Sequence, residues 1–156
     1  MNPRIKILLE SRNLLEHSAA DEEISILWAK AVQALENSRR GLDPLIEFVV
    51  AYNAALQAGT ALLAACGYRP SGRDHHHNTF SGVGALGSGE LKRVAGILDD
   101  LRQGRHEAVY GFQREITEQD LSALRKAVPV LMEECCLRIA DARPSLAGKL
   151  SELPAA

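Results

Sequence analysis

The stretch that decides the fold is residues 43–67, DPLIEFVVAYNAALQAGTALLAACG. It opens with Asp43, a residue that can accept hydrogen bonds from the first free backbone N–H groups of a helix. Pro44 follows at the first helical position, where a missing N–H costs nothing. It closes at Gly67, a usual helix stop. Between them Glu47, Asn53, Gln57 and Thr60 interrupt an otherwise apolar run. That pattern predicts one long helix, apolar around most of its circumference and therefore central. Ala54, Ala58, Ala61 and Ala65 recur at spacings of four, three and four, giving a smooth stripe that lets another helix approach closely.

Working outward, the flanking segments also read as helices. Asn2–Pro3 begins a first helix whose face is Ile5, Leu8, Leu9 and Leu15, with Arg12 as its polar exception. Asp21 reads as the cap of a second, with Glu22 and Glu23 near its positive end and the face Ile24, Leu27, Trp28, Ala31, Leu35. Arg39, Arg40 and Gly41 stop it. Residues 67–78, GYRPSGRDHHHN, read as a polar loop, and a short helix is expected from about Thr79 to Leu86. Gly82, Gly84, Gly87 and Gly89 read as a flexible connection, without the spacing of a phosphate-binding loop. A long helix is expected from Ser88 or Gly89 to about Tyr110 or Gly111. Thr117-Glu-Gln-Asp120 resembles a capping box for a last long helix over about 118–142, kinked at Pro129 and stopped by Pro144. No strand pair or hairpin is expected. The fold class is all-α, a bundle of five to six helices in one domain, 1–156.

Composition narrows the function classes. The chain is 46% hydrophobic and 24% charged, as in globular proteins. A formal net charge of −2 argues against a protein that coats nucleic acid, leaving room for a local basic patch. Cys66, Cys135 and Cys136 are odd in number and have no metal-ligand spacing, so they read as small apolar residues in a reducing compartment. With no signal-like N-terminus and no charge-free run near 20 residues, a cytoplasmic protein without a membrane span is expected.

The chemistry-bearing segment is 91–112. Its apolar seam is Leu91, Val94, Leu98, Leu101, then Arg105, then Ala108 and Phe112, so Arg105 falls on the face expected to be buried. A buried guanidinium demands an anion or several acceptors. Arg102, His106 and Tyr110 stand four apart beside it. Two guanidiniums, an imidazole and a phenol on one helix surface suit a phosphate or a nucleotide. A structural reading stands beside this one: Asp99 can pair with Arg102, and Arg105 can bridge to Glu47 on the central helix. Asn53, Gln57 and Thr60 form either an internal polar network or, through Asn53, part of the arginine site. His75, His76 and His77 read mainly as structural, with His76 a candidate ligand contact, and nothing around them supports a metal site. Arg69 and Arg73, with Arg102, Arg105 and Arg114, make the one basic patch if their loop folds over the arginine helix.

Two blocks carry a family resemblance: AYNAALQAGTALLAACGYRP, 51–70, and LDDLRQGRHEAVYG, 98–111, together 34 residues. In this order and spacing the chain resembles a HEPN domain, with a core over about 43–142, and within that family bacterial stand-alone members. The resemblance implies a homodimer with motif helices facing each other. It also implies, for active members, a metal-independent ribonuclease with no cofactor, using an Arg-x4–6-His motif. Arg105 matches the arginine. His106 follows it directly, and Tyr110 stands five residues after Arg105 where histidine would be. That departure is more like the branch that pairs with a minimal nucleotidyltransferase, or binds a ligand without cleaving RNA, in toxin–antitoxin or stress-response settings. Three functions follow as expectations. The first is a homodimer binding a nucleotide, RNA or a nucleotidyltransferase-type partner through Arg102, Arg105, His106 and Tyr110. The second is a ribonuclease with Arg105 and His106 as its catalytic pair. The third is an interaction module with Arg105 in an internal ion pair.

Overall fold

The computed structural model describes residues 2–110 and 116–155, with residues 103–110 described by their backbone alone. Among these residues six α-helices follow one another: α1 (Pro3–Glu10), α2 (Asp21–Ser38), α3 (Pro44–Ala65), α4 (His75–Leu86), α5 (Gly89–Tyr110) and α6 (Glu118–Ala142). The chain is an all-α helical bundle. The long apolar helix α3 is its hub and packs against α2, α6, α4 and α5. Its start is as the sequence dictates, with Asp43 Oδ1 accepting from the Leu45 N–H at 3.0 Å. Ala54, Ala58, Ala61 and Ala65 are all buried. By length and composition α3 is apolar enough to cross a membrane, yet 72% of its apolar window is buried inside the protein, as in a core helix.

The start of α6 is equally local. Thr117 Oγ1 accepts from the Asp120 N–H at 3.0 Å, and Asp120 Oδ2 accepts from the Thr117 N–H at 3.2 Å, a reciprocal capping box. The helix runs through Pro129 without interruption and ends before Pro144, which begins a 3-10 turn to Leu146. Cys135 is fully buried among the core residues of α6.

Four local expectations give way. The first helix ends at Glu10, short of Leu15, because the backbone turns left-handed at Arg12 (φ 63°). The Asn13 N–H then reaches Leu8 O at 2.9 Å and the Arg12 N–H reaches Leu9 O at 3.1 Å, which closes the carbonyl end of α1. Released from the helix, residues 14–16 form a strand, β1 (Leu14–Glu16), antiparallel to β2 (Tyr68–Pro70), where a loop and no strand pair were expected. Leu14 pairs with Pro70 and Glu16 with Tyr68. The ribbon is extended by His17 N–H to Gly67 O at 2.8 Å and Ser71 N–H to Asn13 O at 3.0 Å. Gly67 (φ 95°) makes the turn from α3 into β2.

The third correction concerns the histidine run. His75, His76 and His77 are the first turn of α4, which begins four residues before the expected Thr79. Asp74 adopts a left-handed conformation (φ 52°) without a side-chain cap. Asn78, 2% exposed, reaches back instead: its Nδ2 donates to Arg73 O at 2.6 Å and to Ser71 Oγ at 3.1 Å. Gly82 and Gly84 lie within this helix, as its expected span to Leu86 implies, so the glycine connection is confined to Gly87 and Gly89, the latter the first residue of α5.

Fourth, Asp21 is the first residue of α2 and does not cap it. Its carboxylate accepts from Arg143 Nη1 at 2.9 Å and from Ser145 Oγ at 2.5 Å, while Arg143 Nε donates to Ala65 O at 3.2 Å. This clasp fastens the C-terminal tail across α2, where the buried Trp28 donates from Nε1 to Ser151 O at 2.8 Å. The Ser145 hydroxyl, and then Arg143, hold the Asp21 carboxyl below its ordinary value. A carboxyl depressed in the folded state contributes stability that is complete above the ordinary value and lost as the pH falls through the lower one. Acid should therefore loosen the tail, and Trp28, the one tryptophan in the chain, reports it. Its emission is expected to shift red below the carboxylate range, and Asp21→Asn to give a similar shift already at neutral pH. An acid shift identical in Asp21→Asn and the parent would show that another group governs the tail.

Candidate functional site

The face of α4 that looks toward α5 is built at four-residue intervals. His77 and Ser81 share it, one turn apart. Across the gap, α5 presents Asp99 and, one turn on, Arg102. His77 Nδ1 lies 3.0 Å from each carboxylate oxygen of Asp99. Arg102 Nε lies at ion-pair distance, 3.4 Å, from Asp99 Oδ1. Ser81 Oγ lies 3.4 Å from His77 Nε2. One carboxylate thus joins the histidine run to the arginine helix.

Elementary hydrogen-bond chemistry fixes the protons. A carboxylate only accepts, so the ring nitrogen facing it, Nδ1, carries the hydrogen. In the neutral imidazole the other nitrogen, Nε2, then has a free lone pair, which can accept from the Ser81 hydroxyl 3.4 Å away. Asp99 meanwhile holds the Arg102 side chain, which is 43% exposed and keeps access to solvent.

The expected Asp99–Arg102 pair is present. Arg105, His106 and Tyr110 stand on α5, whose helical backbone continues unbroken to Tyr110. Their side chains lie outside the described residues, as does Arg114 altogether. With 3.6 residues per turn, that continuity sets positions 102, 106 and 110 in a row along one helix surface. The suggested bridge from Arg105 to Glu47 falls on a side chain outside the described residues, and Glu47 has a described partner on α6. Arg125 of α6 grips that carboxylate with two parallel bonds, Nε to Oε2 at 2.7 Å and Nη2 to Oε1 at 2.8 Å.

The remaining candidates are scattered. The His76 ring lies 5.9 Å from that of Tyr52 on α3, which also meets Phe80 edge-on at 5.6 Å. Asn53 and Gln57 line a shallow groove with Lys30, Gln33 and Asn37 of α2, on a different face of α3 from Tyr52. Arg69 is exposed on β2, and Arg73 is exposed in the turn before α4. Among the described residues, His77 of the segment after β2 meets Asp99 of α5.

Sequence reading missed His77, Ser81 and Asp99 as a group. The signal was the four-residue interval from His77 to Ser81, visible only once both are placed in one helix. Other chemistries find little support. Burial pushes the thiols of Cys66, Cys135 and Cys136 above the ordinary cysteine value, which favours the protonated thiol over the nucleophilic thiolate. Desolvation lowers His75, which favours its neutral ring. Among the described residues no three His, Cys, Asp or Glu side chains converge as a metal-ligand set. No protein-family model matches the chain, and neither a curated protein nor a solved structure gives a significant match to it.

Proposed function

We propose that this protein binds a phosphorylated ligand, RNA or a nucleotide, along the α5 surface that carries Arg102, Arg105, His106 and Tyr110, and that it works as a cytoplasmic homodimer of the HEPN type. The observation that supports this reading is the His77–Asp99–Arg102 chain. It sets a guanidinium at ion-pair distance from a carboxylate, at the head of a row in which a second arginine, an imidazole and a phenol follow at helical spacing. A guanidinium held by one carboxylate oxygen keeps other N–H donors for phosphate oxygens. Preorganisation matters here, because the rotamers of a long side chain are costly to freeze on binding. The HEPN resemblance adds the dimer, in which two such rows face one another, and a nucleotidyltransferase-type protein as a partner in a toxin–antitoxin setting.

Anisotropy of a labelled single-stranded RNA, and thermal stabilisation by a nucleoside triphosphate, test the reading. An exposed arginine contributes about 1 kcal/mol to such a contact, a difference of about fivefold in affinity. Arg102→Ala and Arg105→Ala are each expected to weaken binding by about that factor and to flatten its salt dependence. Binding equal in both variants and the parent would refute the site. The same RNA, incubated in EDTA and run on a gel, addresses catalysis. Fragments that disappear in a folded Arg105→Ala variant would convert the binding protein into a metal-independent ribonuclease using Arg105 and His106. Intact RNA would leave it a binder.

A further inference from the structure

The geometry points to a second activity, which goes beyond the anion-binding reading while sharing its His77 and Asp99: Ser81 is a nucleophile, activated by His77 and Asp99, that attacks a short-chain carboxylic ester held in the cavity between α1, α4 and α5.

Three observations converge on Ser81. The first is where its hydroxyl goes. Helical serines and threonines ordinarily bond a backbone carbonyl of the preceding turn. Ser38 does so to Leu35 O, Thr60 to Leu56 O and Thr79 to His75 O. Ser81 instead meets the His77 ring, with Oγ 3.4 Å from Nε2. The second is the order of groups. Ser81 Oγ, His77 Nε2, His77 Nδ1 and the Asp99 carboxylate follow in the sequence that makes serine nucleophilic in unrelated folds, with the carboxylate setting the tautomer that leaves Nε2 free. The third is a place for substrate. Ser81 and Asp99 line a cavity of about 370 Å³ whose other walls are Ile7, Leu8, Phe80 and Ala95, with Arg4 and Lys92 also on its lining. That volume is at the small end for ligand sites, so the acyl chain is short, and the walls are apolar enough to hold it. Arg4 and Lys92, both exposed, give the same lining positive charge.

The step balances without a cofactor. The Ser81 hydroxyl gives its proton to His77 Nε2 as Oγ bonds the carbonyl carbon, and the carbonyl π pair moves onto oxygen. Collapse of the tetrahedral adduct expels the alkoxide, which leaves as an alcohol with the proton from Nε2. Water repeats the sequence on the acyl-serine, releasing the carboxylic acid and restoring Ser81. Asp99 acts through His77 and is a positioning residue.

A fluorophosphonate probe on the full chain, with peptide mass spectrometry to locate the adduct, tests the nucleophile. p-Nitrophenyl butyrate hydrolysis tests turnover. Labelling at Ser81 is expected, absent in Ser81→Ala and slowed by about 100-fold in His77→Ala, the scale of a lost general base. Asp99→Asn is expected to slow the maximal labelling rate while leaving the saturating probe concentration unchanged, a split that loosened packing would not give. Circular dichroism establishes that each variant is folded. No adduct at Ser81 in the folded parent would overturn the proposal. So would an adduct that forms equally fast in folded His77→Ala, or in heat-unfolded chain.

Discussion

Phe80→Ala is expected to lower the free energy of unfolding by about 3–5 kcal/mol, the usual range for deleting a large core aromatic. Phe80 is 2% exposed and ends a column of rings. It meets Tyr52 edge-on at 5.6 Å, and Tyr52 in turn stacks near Phe48 at 6.4 Å. The chain holds only seven Phe, Tyr and Trp side chains, so this column contains three of its few large side chains. Around it the core is largely alanine and leucine, and α3 contributes Ala51, Ala54, Ala55 and Ala58. Alanines cannot swing into a void, because they have no side-chain torsion to relax. The cavity term should therefore persist beside the lost transfer energy. Urea unfolding followed by far-ultraviolet circular dichroism measures the change. A loss under 1 kcal/mol would mean that α4 does not seat on α3 through this ring. Because Phe80 precedes Ser81 and walls the same cavity, a Phe80→Ala protein that stays folded should also lose labelling of Ser81.

What could be read from the sequence divides along the range of the interactions. Helix starts at α3 and α6 were legible because Asp43, Pro44, Thr117 and Asp120 act within three residues of themselves. The Asp99–Arg102 pair was legible for a like reason, an i,i+3 interval on one helix. The start of α4 was not, because its organising residue, Asn78, sits inside the helix and reaches backward to Arg73 and Ser71. Nor was the ribbon of β1 and β2. Each strand has three residues and gains its partner from more than 50 positions away, so neither shows a period of two. Asp21 looked like a cap and became an anchor, because Arg143 and Ser145, more than 120 residues later, compete for its carboxylate. The same distance effect hid the candidate site: His77 and Asp99 are 22 residues apart and meet only when α4 folds back on α5.

The alanine stripe of α3 raised a more specific expectation, that another helix approaches closely. A close approach of α4 falls one residue off the stripe, at Gly59. A Cβ placed there would lie 3.1 Å from both Thr79 Cγ2 and Val83 Cγ2. Neither neighbour yields easily. Both are β-branched, with χ1 restricted in a helix, and Thr79 is further fixed by its bond from Oγ1 to His75 O at 2.8 Å. Gly59→Leu is therefore expected to cost about 3 kcal/mol, the upper part of the range for overpacked cores, as α4 is pushed off α3. Gly96 of α5 supplies the contrast, since a Cβ there meets nothing within 4 Å. Gly96→Ala should stabilise by about 0.8–1 kcal/mol through helix propensity alone. Thermal unfolding of the two variants beside the parent separates close packing from propensity, because the two terms carry opposite signs at these two glycines. If Gly59→Leu instead raised the midpoint as Gly96→Ala does, α4 would have room to retreat. The tight seat that aligns His77 and Ser81 with Asp99 would then lose its physical basis.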